Sequence, residues 1–348
     1  MDPSRFVIEA AEAESMAQKA GLTVPQLLPT LVKSAQALAR TPISKFHVGA
    51  IGLGSSGRIF MGANMEFPGV PLNQSIHAEQ FLITNLVLNA EPHLRYFAVS
   101  DAPCGHCRQF LQEIRNASDI KLSITPPENT KDDCDCEPNY LPLSYYLPDR
   151  FGPETLLEKD VPLLLETHHN GLLFNSNHQS ISNGQISEKL KYAALGVANK
   201  SHAPYSKCPS GVALMDCEGK LYTGSYMESA AYNPSLGPLQ AALVAYVAGG
   251  GSGGYEKIVA AVLVEMEGAA VIQQHSTRLL LEAISPNSNF ISKLEQSTVL
   301  MFCSSRDENM VRIWHNFIKS MLSRQNTRRR NQGRQDEVWD QMGGATKL

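Results

Sequence analysis

The sequence predicts an α/β fold used twice: two tandem αβα sandwiches, the second a degenerate copy of the first. Three observations carry this. Residues 42–67, PISKFHVGAIGLGSSGRIFMGANMEF, align without a gap to residues 204–229, PYSKCPSGVALMDCEGKLYTGSYMES, at a constant shift of 162. The same order of helical and extended segments surrounds each copy, and alternating strands and helices build layered α/β folds. Finally, 348 residues, 43% of them hydrophobic and 18% charged, suffice for two ordinary globular domains.

Each copy is expected to open on a helix (27–40 and 187–199). Two apolar runs follow, joined by a Gly-containing turn, which is hairpin chemistry. Within them Pro42, Ser44, Lys45, Gly49, Gly57, Gly62, Met65 and Glu66 match Pro204, Ser206, Lys207, Gly211, Gly219, Gly224, Met227 and Glu228. A second helix (78–88; 239–247), a strand (96–100; 258–264) and a third helix (108–115; 277–283) complete each copy. Asn73–Ile76 resembles Asn233–Leu236 at a shift of 160, and Arg108–Ile114 resembles Arg278–Ile284 at a shift of 170. A repeat of this length is one fold duplicated, not a short solenoid unit. The partition that follows is an N-terminal arm at 1–22, a first domain at 23–154, a linker at 155–183, a second domain at 184–307, and a C-terminal helix with a disordered tail at 308–348.

Bulk properties exclude several classes. A formal net charge of −4 argues against a dedicated nucleic-acid binder, which needs a basic face. MDPSRFVIEA has no basic segment leading into an apolar run, so no signal peptide is expected, and no apolar stretch reaches the roughly 18 to 20 residues that span a bilayer. A cytoplasmic protein with no membrane partner is expected. Seven irregularly spaced cysteines read as free thiols or metal ligands in a reducing compartment.

Some motifs mislead. Gly52-Leu53-Gly54-Ser55-Ser56-Gly57 spells the dinucleotide fingerprint GxGxxG, but that fingerprint needs a helix straight after it. Here Arg58-Ile59-Phe60-Met61 follows, a strand-like run, so the glycines read as a hairpin turn. The Gly-rich stretch 249–254 lacks a following Lys-Ser/Thr and reads as a loop. Cys134 and Cys136 have no third ligand nearby and read as an exposed loop, and Arg328-Arg329-Arg330 as a solvated tail.

The chemistry sits in His77-Ala78-Glu79, followed after 23 intervening residues by Pro103-Cys104-Gly105-His106-Cys107. Two cysteines three apart at a helix start can turn toward one ion, and helix N-terminal amides favour thiolates. His77, at the start of another helix, supplies a third ligand. One His and two thiolates leave the fourth tetrahedral position open for water, as a catalytic zinc needs. Glu79, too close in sequence to His77 to bind the same ion easily, can reach that water and carry its proton. The pattern H-x-E…P-C-x-x-C is the signature of zinc nucleobase deaminases.

With these residues in place, the first half resembles the cytidine deaminase family, and the whole chain resembles its long two-domain members. H-A-E and P-C-G-x-C are present unchanged. The resemblance implies Zn2+, one per chain, on His77, Cys104 and Cys107, with Glu79 as the catalytic acid and base. It implies that Asn64-Met65-Glu66 contacts the sugar and that Phe46, within Ser44–Ala50, packs on the base. Phe151, in a run resembling L-P-x-x-F-G-P, is expected to reach toward a neighbouring subunit. The implied reaction is deamination of cytidine and deoxycytidine by a homodimer, in pyrimidine salvage. A deaminase acting on DNA or RNA is the alternative enzyme, and a nucleoside-binding scaffold the alternative outside catalysis. In the second half His77 maps to Gly237, Glu79 to Leu239, Cys104 to Gln274 and Cys107 to Thr277. Ligands and acid are lost together, so that half is expected to be structural.

Overall fold

The computed structural model describes residues 5–125, 138–174, 185–251, 254–285, 289–291 and 299–303. Met1–Leu173 with Glu188–Ser304 cluster as one compact unit, and Phe174–Ser187 with Ser305–Leu348 as another; both sheets and the site lie in the first. The Cys134/Cys136 segment, the Arg-rich tail and the expected C-terminal helix lie outside the described residues.

The first copy contains β1 (Val7–Ile8), α1 (Ala10–Ala20), α2 (Val24–Gln36), β2 (Gly49–Gly54), β3 (Ile59–Ala63), α3 (Ala78–Leu88), β4 (Leu94–Val99), α4 (Gly105–Phe110), β5 (Lys121–Ile124), β6 (Leu141–Pro142), α5 (Leu143–Tyr146) and α6 (Pro153–Leu156). Its six strands run in the order β1-β3-β2-β4-β5-β6, with β4 and β5 parallel and the other pairs antiparallel. The second copy contains α7 (Gln185–Ala198), β7 (Ser210–Asp216), β8 (Leu221–Ser225), α8 (Pro238–Ala248), β9 (Ile258–Glu265), α9 (Gln274–Ile284), β10 (Asn289–Ile291) and β11 (Val299–Cys303). Its sheet order is β10-β11-β9-β7-β8, antiparallel throughout. The copies thus agree in β2, β3 and β4 against β7, β8 and β9, and their sheets part beyond β4 and β9.

The repeated glycines explain the layers. A Cβ on Gly49 would fall inside the backbone of α2 at Val32 and Gln36, and one on Gly62 inside the start of α3 at Ala78 and Leu82. Gly62 pairs with Ala50, so Gly49 and Gly62 lie on opposite sheet faces and a helix packs on each. Gly211 and Gly224 do the same for α7 and α8. This is the expected αβα sandwich, built twice.

The GxGxxG stretch is the β2–β3 hairpin, with Gly57 at φ +83°. Its turn closes around a carboxylate of the chain itself. Glu91, 1% exposed, accepts hydrogen bonds from the Ser55 hydroxyl (2.9 Å), the Ser56 N–H (3.2 Å) and the Ser56 hydroxyl, and pairs with Arg58 at 3.2 Å.

Two features differ from the expectation. The N-terminal arm is part of the domain: β1 extends the sheet beside β3, and Phe6 stacks on Phe81 of α3 at 4.9 Å. The two copies also do not keep separate cores. One continuous apolar cluster holds residues from both, because α3 packs on α8. Both helices are buried on nearly every side, with a sheet on one side and the other helix opposite, although α3 carries Glu79, Gln80, Thr84 and Asn85 among its apolar residues.

Candidate active site

His77 precedes the first turn of α3 with extended backbone (φ −78°, ψ 155°), and Cys104 precedes α4 in the same way (φ −66°, ψ 168°). Cys107 lies in the first turn of α4, fully buried, while Cys104 faces solvent. The His77 Nδ1 lies 3.5 Å from Cys104 Sγ and 3.3 Å from Cys107 Sγ. These three atoms all fall within 4.8 Å of one another, the one such group among the described residues. Tetrahedral zinc, with Zn–N of about 2.05 Å and Zn–S of about 2.3 Å, sets N and S about 3.5 Å apart and two sulfurs about 3.8 Å apart. The donor set therefore fits zinc in both chemistry and spacing.

Electrostatics agree with the geometry. Hydrogen bonds from Cys107 and His77 pull the Cys104 thiol down to about 3, while the bond to Cys104 and burial push Cys107 up. The two sulfurs compete for one proton, and a dication supplies the counter-charge that two adjacent thiolates need. The Cys104 contact raises His77. Glu79 sits in the first turn of α3, 4% exposed, and its carboxyl meets the Cys107 sulfur. Burial pushes that carboxyl up.

Of the expected sugar and base residues, Phe46 lies on the loop 41–48 between α2 and β2, and Asn64 and Glu66, just past β3, bond to that loop. Phe46 is 57% exposed at its tip. The Asn64 side chain accepts from Val48 N–H (2.9 Å) and donates to the Phe46 carbonyl (2.9 Å). Glu66 accepts from the N–H groups of Ile43 (2.8 Å) and Ser44 (2.9 Å) and from the Ser44 hydroxyl. Asn64 and Glu66 thus staple down the loop that presents Phe46. Met65 lies between them and points the other way, 1% exposed in the core; alternation along an extended segment requires this.

The structure adds residues that the motifs did not single out. Gln80, 2% exposed, accepts from His77 N–H (3.2 Å) and contacts His106 Nε2 (3.1 Å). Its retention as Gln240, where Gly237 and Leu239 replace His77 and Glu79, is the sequence signal that marks it. Glu113, just past α4, is fully buried and bonds His202, Tyr205 and Ala230 of the second copy. In that copy the corresponding ground is taken by Gly237, Leu239, Gln240, Gln273 and Thr277, which with Gln74 of the first copy line a small pocket, and no His/Cys/Cys group stands there among the described residues.

The αβα layers and the His/Cys/Cys group together define the class of zinc-binding deaminases. Residues 24–122 and residues 143–278 each match the family described as cytidine and deoxycytidylate deaminase zinc-binding region. Cytidine deaminase 1 of Arabidopsis thaliana is 63% identical over 294 residues, covering 83% of this chain and 97% of the relative. Cytidine deaminase of Serratia proteamaculans (strain 568) is 40% identical over 280 residues, covering 80% and 86%. A crystal structure of cytidine deaminase from Mycobacterium tuberculosis aligns with 36% of this chain and 95% of its own, at 30% identity and a TM-score of 0.30. The chain belongs to the cytidine deaminase family.

Proposed function

We propose that this chain hydrolytically deaminates cytidine and deoxycytidine at C4, releasing ammonia and giving uridine and deoxyuridine. The observation that carries the reading is the convergence of His77 Nδ1, Cys104 Sγ and Cys107 Sγ on one point, with the buried carboxyl of Glu79 beside them. Bound by those three residues, zinc would supply a water acidified toward hydroxide. Glu79 would take a proton from the attacking water, hand it to N3 and then serve the leaving amine, so one carboxyl carries each transfer. Its burial keeps bulk water from competing. Ground-state pyrimidine is planar and the adduct at C4 tetrahedral, and a site that fits the adduct better accelerates the step.

Phe46 offers an aromatic face to the base. Asn64 and Glu66 offer an amide and a carboxylate to the ribose hydroxyls, and a carboxylate has lone pairs left after three bonds. Met65 supports them from the core. The residues partition as a catalytic domain (23–154) that takes in the N-terminal arm (1–22), a linker (155–183), a non-catalytic second domain (184–307) and a C-terminal segment (308–348). A homodimer in the cytoplasm, serving pyrimidine salvage and acting on free nucleosides, completes the reading. The net charge of −4 favours nucleosides over polynucleotides.

The test is the ultraviolet absorbance of cytidine with purified protein, a zinc count per chain, and light scattering. The expected result is loss of the cytidine band, one zinc per chain, and a particle of two 38.1 kDa chains. Deamination of single-stranded polynucleotide without turnover of cytidine would replace this reading with the polynucleotide one, and two zincs per chain would give the second half a site.

A further inference from the structure

Gln80 spends its whole carboxamide. The oxygen accepts the His77 N–H at 3.2 Å. The nitrogen carries two hydrogens; one goes to His106 Nε2 at 3.1 Å and the other to the Pro234 carbonyl at 3.1 Å. His77 belongs to the metal group, and His106 lies between Cys104 and Cys107 in sequence with its ring stacked on His77 at 5.4 Å. Pro234 belongs to the second copy, in the loop before α8. One buried amide therefore joins the start of the His77 helix, the turn that carries both cysteines, and the half of the chain that has no ligands.

The duplicated fold contains its own control. Gln240 is the counterpart of Gln80 at the shift of 160, and Gln74 is the counterpart of Pro234. Gln240 donates to the Gln74 carbonyl at 3.3 Å. The same bond is thus made twice, in opposite directions across the junction of α3 and α8. Only one of the pair also touches residues beside the metal group. At the other end of α4, Glu113 is anchored in the second copy by His202 Nε2 (3.1 Å), Tyr205 Oη (2.6 Å) and Ala230 N–H (2.7 Å). Both ends of the cysteine-bearing segment are therefore tied to the second half.

We propose that Gln80 is a positioning residue for the zinc site, through which the ligand-free second half holds His77 and the Cys104–Cys107 turn at metal-binding distance. The proposal rests on His77, Cys104 and Cys107 being the zinc ligands. Partners that orient ligands typically change metal affinity by about 10- to 100-fold when removed. Gln240 makes the matching bond across the junction and orients no ligand.

The experiment measures zinc release from full-length protein to a chromogenic chelator, and the visible spectrum of the cobalt-substituted form, for wild type, Gln80→Met and Gln240→Met. Methionine matches glutamine in length and lacks all three polar contacts. The expected result is zinc release about tenfold or more faster, and an altered cobalt spectrum, in Gln80→Met alone, with Gln240→Met close to wild type in both. Equal acceleration in the two variants would show general loosening of the junction, and no acceleration in either would show that the ligands hold themselves; each overturns the proposal. If Gln80→Met does not fold, Gln80→Glu keeps the acceptor toward His77 and removes both donors, and release within twofold of wild type in that variant also overturns it. Cys107→Ala separately tests the reading beneath: retention of zinc there would place the metal elsewhere and overturn that reading and this proposal together, whereas loss of zinc there with unchanged release in Gln80→Met overturns this proposal alone.

Discussion

Glu66 and Glu228 make the same bonds in opposite halves of the molecule. Glu66 accepts from Ile43 N–H, Ser44 N–H and the Ser44 hydroxyl; Glu228 accepts from Tyr205 N–H (2.9 Å), Ser206 N–H (3.1 Å) and the Ser206 hydroxyl. The next residue, Lys45 or Lys207, takes φ +57° or +58°, a conformation that L side chains rarely adopt without support. The second half has Tyr226 for Asn64, Cys208 for Phe46 and, among the described residues, no His/Cys/Cys group, yet the clamp persists. Holding this loop is therefore a role of the carboxylate in its own right. Glu228→Ala should cost about 1–3 kcal/mol from unpaired donors and lower Tm by several degrees, with kcat on cytidine unchanged. Glu66→Ala should show a similar Tm loss and, in addition, a larger fall in kcat/KM on cytidine than on free cytosine. Equal falls on the two substrates would confine Glu66 to the loop.

Glu79 and Cys107 separate chemistry from metal binding. Glu79→Gln keeps the shape of a buried side chain and all three ligands, so zinc content should stay at wild type while kcat falls by roughly 10²- to 10⁴-fold, the usual worth of a general acid or base. Cys107→Ala should lose zinc and turnover together, since an open site seldom holds zinc on two ligands. Elemental analysis beside a cytidine absorbance assay tests both; near wild-type kcat in Glu79→Gln would remove that residue from the mechanism.

At the scale of elements, the β2–β3 hairpin is tied to the end of α3 by Glu91. Burial alone would raise this carboxyl, but the hydrogen bonds from Ser56 and Ser55 and the Arg58 pair outweigh it, and its pKa falls below the ordinary 4.5. A depressed folded value means that the charged form is the stabilising one. That contribution is complete above pH 4.5 and drains away as pH falls through the depressed folded value. Glu91→Gln should lower Tm at pH 7 and flatten the dependence of Tm on pH below 4.5. A parallel slope in the variant would assign the acid sensitivity to other carboxylates. Helix seating offers a second test. Gly224→Ala puts a methyl group into the backbone of α8 at Ala241 and Ala242, an overpacking that costs about 1–3 kcal/mol. Gly219→Ala, in the β7–β8 turn with open space around it and φ +80°, should cost about 1 kcal/mol from backbone strain alone.

Across the whole molecule, the two halves exchange contacts. Arg40 of the first donates to the Gly251 carbonyl at 3.0 Å and lies over Tyr255, while His202, its counterpart, reaches Glu113. With the Gln80 and Gln240 bonds, this gives the halves an approximate two-fold relation around the α3–α8 packing. Cutting the chain between them would expose one buried helix face on each fragment and leave Glu113 without its partners. Residues 1–155 alone should therefore associate or precipitate and turn over cytidine weakly, although they hold every proposed catalytic side chain. Residues 184–320 should bind no zinc. Size-exclusion with light scattering and a turnover assay on both fragments checks this, and a monodisperse, fully active N-terminal fragment would show the second half to be dispensable.

The layer order, the duplication and the metal group were legible in the sequence because each depends on local spacing. Gly49 and Gly62 recur as Gly211 and Gly224 because close helix–strand contact tolerates no side chain there, and that requirement is written residue by residue. His77, Cys104 and Cys107 sit at helix starts, where short motifs fix backbone direction, so their convergence could be read from H-A-E and P-C-G-x-C alone. The GxGxxG decoy could be set aside for the same reason, since a strand follows it. What the sequence did not disclose depends on pairs of residues distant along the chain. The arm became a strand and a helix of the first sheet because β3 had an edge to fill, and two residues of strand carry too little pattern to announce it. Met65 went to the core while Asn64 and Glu66 turned to the loop, a matter of which face of the segment met the sheet. Nothing local in HAEQ shows that Gln80 would meet Pro234, 154 positions later. The α3–α8 packing decided that, and with it merged two expected cores into one, because a helix buried on nearly every side needs a second partner opposite its sheet.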